Sequence, residues 1–298
     1  MAVTMMRQES GAIVKSYAHA SEPGTICELR RGDENEVLEF LSARPLHTVF
    51  MAGLINDNGL ISPQNRGSFY ACRGRFGHLE GVALVGHATI IEAGNESAIT
   101  SFAHLARRCH ISHLIRGERE IINKFWKYYS GDQVATRRIC SELLFESSEV
   151  LPVREEVSDL RPATLNDLER VLAVNALMAF EEGGVSPLQK DPSGFRHRTA
   201  RRIERGRIWV LMQDNRLIFK ADVIAMTPQV AYLEGVHVHP EERRKGHGLR
   251  CLKQLSSTLL TQADSICLTI NQKNRPAAAF YEKAGYKFHS DYETIYLR

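Results

Sequence analysis

The sequence predicts a mixed α/β protein in two halves of similar grammar, on three observations. Strand-like apolar runs alternate with helical patterns along the whole chain. A polar, acidic stretch, FESSEVLPVREEVSD at 145–159, parts two apolar-periodic regions and carries Pro152. The length, 298 residues, is enough for two domains that each bury a core. A composition of 43% hydrophobic and 24% charged residues excludes a mainly disordered chain.

In the first half, TICELRR reads as a strand, GDENEVLEFLSARP as a helix and HTVFMAGLINDNG as a second helix. GSFYACRG, GVALVG and ATIIEAG are strands of a meander. ESAITSFAHLARR is helical, ISHLIRG a strand, REIINKFWKYYS a helix and ATRRICSELLF a closing strand. In the second half, LRPATLNDLERVLAVN reads as a short strand and a helix capped by Thr164 or Asn166. Leu165, Leu168, Val171, Leu172 and Ala176 form its apolar stripe. The loop FEEGGVSP precedes a charged helix, FRHRTARRIERG, which Gly206 ends. RIWVLMQ and RLIFKADVIAM are strands joined at Asp214-Asn215, a hairpin signal. AYLEGVHVHP is a third strand, stopped by Pro240, and a helix with Leu249, Leu252, Leu255 and Leu259 at helical spacing follows Gly246. SICLTI is a short buried strand, NRPAAAFYEKAG a helix closed by Gly285, and YKFHSDYETIYL one or two last strands. The repeated order implies an internal duplication with diverged halves.

Lys plus Arg is 38 and Asp plus Glu is 35, a net charge of +3, so an anionic partner must be argued from local patches. No apolar run reaches the roughly 18 residues of a spanning helix. Residues 1–22 read as a flexible tail without the apolar segment of a secretory signal, and a soluble, cytoplasmic protein is expected. Cysteines 27, 72, 109, 140, 251 and 267 form no CxxC and read as free thiols of a reducing compartment. The pairs His110/His113 and His237/His239 lack nearby Cys or acidic clusters, so no metal is expected.

The sharpest local feature is PEERRKGHG at 240–248, between a predicted strand and a predicted helix, where Arg243, Gly246 and Gly248 fit R-x-x-G-x-G. Unsatisfied backbone N–H groups and the helix dipole make such a start an anion site. Glycines let a pyrophosphate approach the backbone, and Arg243, Arg244 and Lys245 add positive charge. The competing account, a solvated turn with glycines as breakers, explains neither the flanking elements nor the three cations. The antiparallel meander and the missing third glycine exclude a dinucleotide-binding fingerprint.

VHVHPEERRKGHG (236–248) and NRPAAAFYEKAGY (274–286), in this order and spacing, resemble the two signature segments of GNAT-superfamily N-acetyltransferases. The resemblance covers residues 158–298. It implies that Val236, His237, Val238, Arg243, Arg244, Lys245, Gly246, His247 and Gly248 hold acetyl-CoA, the acyl-donor co-substrate, with Asn274 touching it from the next segment. The whole chain is similar to bacterial proteins with two GNAT-like modules, the first degenerate, because ATIIEAGNESAITSF has no cation before its helix. The implied domains are 23–150, degenerate, and 157–298, acetyl-CoA-binding, each a mixed central sheet flanked by helices.

Acyl transfer to an amine needs a neutral amine, a stabilised oxyanion and an acid for the departing thiolate. By its place in the second segment, Tyr281 is the implied acid, although it also completes an amphipathic helix face beside Phe280. Glu234 is the implied base, two residues before Val236; it equally suits a solvent-facing strand position, and Gly235 beside it marks a bulge that re-aims the strand. An oxyanion donor is expected from a strand N–H near Val236. Thr269 stands where some ribosomal-protein acetyltransferases of the superfamily carry Glu, which argues against that substrate. Asn274 also reads as a plain N-cap. Glu181 and Glu182 suit a cationic acceptor, or a solvated loop, and Lys220 interrupts an apolar strand, at the groove or snorkelling.

The expected function is direct transfer of acetyl from acetyl-CoA to a primary amine on a small molecule or peptide, with no membrane partner and an open oligomeric state. A non-catalytic acetyl-CoA sensor is one alternative. A nucleic-acid module using the arginines at 196, 198, 201, 202, 205 and 207 is another, disfavoured by the absence of interleaved aromatics and by Glu204.

Overall fold

A computed structural model describes residues 24–131, 134–149 and 155–298. The tail expected at 1–22, and part of the boundary stretch at 150–154, lie outside the described residues.

The first half runs β1 (Thr25–Glu28), α1 (Glu34–Ser42), α2 (Pro45–Asn58), β2 (Gly67–Arg73), β3 (Leu79–Gly86) and β4 (Ala88–Ala93). It continues with α3 (Glu96–Ala106), β5 (Leu114–Glu118), α4 (Arg119–Ser130) and β6 (Thr136–Ser147). The second half runs β7 (Leu160–Pro162), α5 (Leu168–Gly183), α6 (Pro187–Lys190), α7 (Pro192–Glu204), β8 (Ile208–Gln213), β9 (Arg216–Met226) and β10 (Val230–Val238). Then come α8 (His247–Leu259), β11 (Ser265–Asn271), α9 (Arg275–Lys283) and β12 (Lys287–Leu297). The duplicated order expected from the sequence is present, with α6 a short addition.

Local chemistry sets the boundaries. Thr164 forms a capping box with Asp167 at the start of the turn that leads into α5, and Gly184 in the left-handed region ends α5. Asp214 and Asn215 both have positive φ, as a two-residue turn between β8 and β9 requires. YKFHSDYETIYL is one strand with a register shift between Phe288 and Ser290.

Among the described residues all twelve strands form one sheet, in the order β1-β2-β3-β4-β5-β12-β6-β11-β10-β9-β8-β7. The two halves therefore exchange their last strands. β6 closes the first half in sequence but pairs with β11, while β12, the last strand of the second half, lies between β5 and β6. Within each half one pair is parallel, β4 with β5 and β10 with β11, and the other pairings are antiparallel.

Both faces of the sheet are covered. Along β3, Val82 and Leu84 join the core under α1 and α2, and Ala83 and Val85 join the core under α3 and α4. In the second half α8 and α9 cover one face, and α5 and α7 the other. α2 is apolar on every side, which suits a helix enclosed by protein. Met51 and Ile55 pack into the first half, whereas Val49 packs with Ala225, Val230 and Tyr232 of the second. Gly53 permits that approach, since a Cβ there would stand 2.7 Å from the Cβ of Ala225.

Candidate acyl-transfer site

The parallel pairing of β10 and β11 ends at Leu233 with Leu268. Beyond it Glu234–Val238 stays with β9 and Thr269–Asn271 stays with β6, so the sheet splits into a wedge. A bulge shapes one lip. Between Glu234, opposite Asp222, and His237, opposite Lys220, β10 has two residues for one on β9. Gly235 there has φ +60°, and its carbonyl accepts from Lys220 Nζ at 2.8 Å. Lys220 neither lines the groove nor snorkels. It is 0% exposed and ion-paired with Asp222 at 2.8 Å, so one buried pair anchors the bulge.

The wedge opens into a cavity of about 900 Å³, within the usual size of a ligand site. Its walls bring together Glu181, Glu182, Glu234, Val236, Asn274 and Tyr281. His237, Val238 and the loop residues Arg243, Arg244, Lys245, Gly246, His247 and Gly248 lie beyond this lining, at the strand end and the start of α8. Gly246, with φ +90°, occupies the N-cap position and α8 has no side-chain cap. Gly248 is buried, and a Cβ on it would meet Val238 Cγ2 at 2.8 Å. Arg243 Nε donates to the Val238 carbonyl at 3.2 Å, and Lys245 pairs with Glu242 at 3.0 Å. The exposed side chain of Arg244 has no partner among the described residues.

The corresponding place in the first half is closed. Two residues link β4 to α3, and the Asn95 side chain accepts from the Ala98 N–H at 2.9 Å, with Glu96 in the first turn. That helix start is capped and negative, so it lacks what an anion needs.

Tyr281 is 8% exposed, with its ring edge-on to Phe280 and Tyr286. Its hydroxyl has no hydrogen-bond partner among the described residues. Burial, aided by the charges of Tyr286 and Glu182, raises its proton affinity, so it stays protonated at neutral pH. Asn274 caps α9 through the Ala277 N–H at 3.2 Å.

Glu234 sits in a network that no single half supplies. Arg116 of β5 donates to its Oε1 at 2.9 Å, and Tyr232 donates to the same oxygen at 2.8 Å. Arg116 also donates to Tyr232 at 2.7 Å and to Thr269, and pairs with Glu142 of β6 at 3.4 Å. Burial pushes the Glu234 carboxyl up, but Arg116 and the Tyr232 hydroxyl outweigh it and hold it below its ordinary range. Glu182 is the opposite case. The residue is exposed to solvent, yet desolvation by the surrounding cavity walls and the nearby charge of Glu234 push its carboxyl up to about 7. Arg116, Tyr232 and Glu142 are site residues that sequence reasoning missed, because no local signal marks a side chain that meets its partners only across the strand exchange. Thr269 was legible as a departure from the superfamily pattern, and it proves to accept from Arg116.

The arginine-rich helix is engaged by protein. Arg207 forms a two-pronged pair with Asp57 at 2.5 and 2.7 Å, and Arg205 joins at 3.0 Å. Arg201 donates to Asn58 at 2.9 Å, Arg198 pairs with Asp191 at 3.0 Å, Arg202 with Asp222 at 3.5 Å, and Arg196 with Glu169. Three of the six thus clip the second half to the end of α2.

With a splayed parallel pair, a bulged strand and a glycine-started helix in its second half, the chain has the fold of GNAT acetyltransferases. Residues 220–295 match the family model described as FR47-like protein. The fold likeness spans both halves. An acetyltransferase from the GNAT family of Colwellia psychrerythraea is 14% identical with a TM-score of 0.53, covering 92% of this chain and 100% of that one. A Drosophila protein is 12% identical with a TM-score of 0.66, covering 92% and 99%. A tandem GNAT protein from the clavulanic acid biosynthesis pathway is 13% identical with a TM-score of 0.53, covering 91% and 97%. No curated protein matches the sequence. Among the described residues no helix is long and apolar enough to cross a membrane.

Proposed function

We propose that the protein is an N-acetyltransferase that moves acetyl from acetyl-CoA to a primary amine, with residues 157–298 as the donor-binding domain and 23–150 as a degenerate module completing the site. The observation that carries this reading is the wedge between β10 and β11, which leads from the uncapped start of α8 to Tyr281 and the carboxylates of the cavity. The residues present fit the donor. The pyrophosphate would lie on the N–H groups at 246–248, with Arg243, Arg244 and Lys245 around it. The pantetheine would follow Val236, His237 and Val238, where the split from β11 leaves one edge of β10 unpaired, and Asn274 borders its inner end. An N–H near Val236 would polarise the thioester carbonyl. Tyr281, protonated and unpartnered, would give its proton to the departing thiolate.

The acceptor is an amine on a small molecule or peptide. Six glutamates line the cavity; Glu92 and Glu118 pair with Arg44, Glu142 and Glu234 with Arg116, and the remaining two, Glu181 and Glu182, favour a cationic acceptor. Calorimetric titration with acetyl-CoA, against free CoA and ATP, tests the reading. One-to-one binding of acetyl-CoA, followed by thiol release with an amine, is the expected result. Absence of acetyl-CoA binding overturns it.

A further inference from the structure

Where β4 and β5 begin, a closed ring of contacts joins the two halves. The Arg66 carbonyl accepts from the His87 N–H at 2.8 Å, and the His87 carbonyl from the His113 N–H at 2.9 Å, so the three residues stand side by side at one end of the sheet. The rings of His87 and His113 meet edge to face, with centroids 4.6 Å apart. Lys190, at the end of α6 in the second half, sets its Nζ 3.1 Å from Nε2 and 3.3 Å from Nδ1 of His113. Its neighbour Asp191 pairs with Arg198 of α7 at 3.0 Å. One turn on, Arg201 donates to Asn58 at 2.9 Å and Asn58 donates to Asn65 at 3.0 Å, which returns the ring to Arg66.

Four cations stand on this ring, Arg66, Lys190, Arg198 and Arg201, against one carboxylate, Asp191. That carboxylate is already engaged, Oδ2 by Arg198 and Oδ1 by the Gly194 N–H at 3.0 Å. Among the described residues the Arg66 guanidinium has no hydrogen-bond or ion-pair partner, and the Lys190 ammonium meets only the His113 ring. Burial, with Arg66, Lys190 and Arg198 around it, pushes the His87 ring down to about 3. Burial, Lys190, Arg66 and Arg137 lower His113 as well. Both imidazoles are therefore neutral at pH 7 and each keeps one N–H to donate. Cations gathered this closely repel one another, and an anion among them relieves the repulsion.

His87 brings the ring to the cavity, whose wall it lines together with Leu114, the residue after His113. Leu114, Tyr296 and Arg138 are successive partners across β5, β12 and β6. Arg138 in turn donates to the carbonyls of Glu181 and Glu182 at 3.0 and 2.8 Å. Two strand spacings, roughly 10 Å, thus separate Leu114 from the residue that holds the end of α5 with its two glutamates.

We propose that the ring is an anion subsite for the acceptor, which carries a carboxylate or phosphate on the same molecule as its amine. The anion would lie against Arg66, His87 and Lys190, with the ammonium toward the glutamates of the cavity. A guanidinium grips two oxygens of either anion, and the ammonium and imidazole N–H groups add single donors. The acceptor role rests on the acetyl-transfer reading; the anion site does not.

The test uses the full chain. With ¹⁵N-labelled histidine, inorganic phosphate and propionate, each titrated with and without acetyl-CoA, should shift the His87 and His113 ring resonances saturably. Lys190→Met and Arg66→Met should each weaken that binding about tenfold or more, and Lys190→Arg should keep it. In turnover, β-alanine or phosphoethanolamine should exceed propylamine in kcat/KM about tenfold or more, the better of the two naming the anion, and Lys190→Met should erase the advantage. No saturable shift with either anion overturns the site. Saturable binding with turnover of propylamine alone, of all three amines equally or of none overturns the acceptor role. Displacement of phosphate by an oligonucleotide, without a preference among the amines, assigns the ring to nucleic acid and overturns that role too. Failure of the wild type to bind acetyl-CoA overturns the transfer reading and the acceptor role with it, while the histidine shifts still decide the anion site.

Discussion

Arg116 lies on a strand of the first half, yet it meets Tyr232, Glu234 and Thr269 of the second. Replacing it by Met leaves Glu234 and Glu142 without their cation. Breaking a pair of this kind costs about 3–5 kcal/mol, to be read from chemical denaturation, and acetyl transfer should fall with it. Tyr281→Phe removes only the unpartnered hydroxyl. Turnover should drop about 10²-fold or more while acetyl-CoA affinity holds, and normal turnover would remove Tyr281 from the chemistry. Glu182 makes a separate statement about stability. Its proton affinity is higher folded than unfolded, so the native state binds the proton more tightly. Stability from this group is present below its ordinary value of 4.5 and declines as pH rises to about 7. Glu182→Gln should therefore raise Tm relative to wild type more at pH 8 than at pH 4, and an equal shift at both would contradict the raised proton affinity.

Among the elements, β10 and α8 decide whether the wedge can hold a ligand. The bulge at Gly235 depends on Lys220, whose Nζ a Cβ at Gly235 would approach to 2.7 Å. Lys220→Met should cost about 3 kcal/mol, since Asp222 keeps Asn175 at 3.3 Å and Arg202 at 3.5 Å but loses its nearest cation. It should also weaken acetyl-CoA binding, because the Gly235 carbonyl would lose its donor. At the start of α8, Gly248→Glu drives a side chain into Val238 and places a negative charge where the pyrophosphate would lie. Loss of acetyl-CoA binding is expected by calorimetry, and unchanged affinity would remove this loop from the donor site. The start of α3, already capped by Asn95, should bind no acetyl-CoA at all.

For the molecule as a whole, the strand exchange makes the two halves interdependent. β12 lies between β5 and β6, and its Ile295 and Leu297 pack into the first half's core. Residues 24–149 expressed alone would expose the β5 edge and both edges of β6, and should not fold. The full chain should melt in one cooperative transition by calorimetry; two separated transitions would show independent halves. The pairs of Asp57 with Arg205 and Arg207 add to the seam and neutralise part of the positive charge of this segment within the protein.

The sequence by itself determined the elements, their order and the duplication. Caps, turn residues and apolar periodicity act over a few positions, as at Thr164, at Asp214-Asn215 and along α8. It also determined the donor-side candidates, because Gly246, Gly248 and Tyr281 belong to contiguous segments. Only the tertiary structure decided that the halves trade their last strands, since pairing partners far apart in the chain leave no local periodicity. Only the tertiary structure, too, separated the carboxylates. Glu182 and Glu234 are the same residue type, and their proton affinities differ because Glu234 accepts hydrogen bonds from Arg116, reaching across from the other half of the sheet, and from Tyr232, whereas the Glu182 carboxylate accepts none among the described residues.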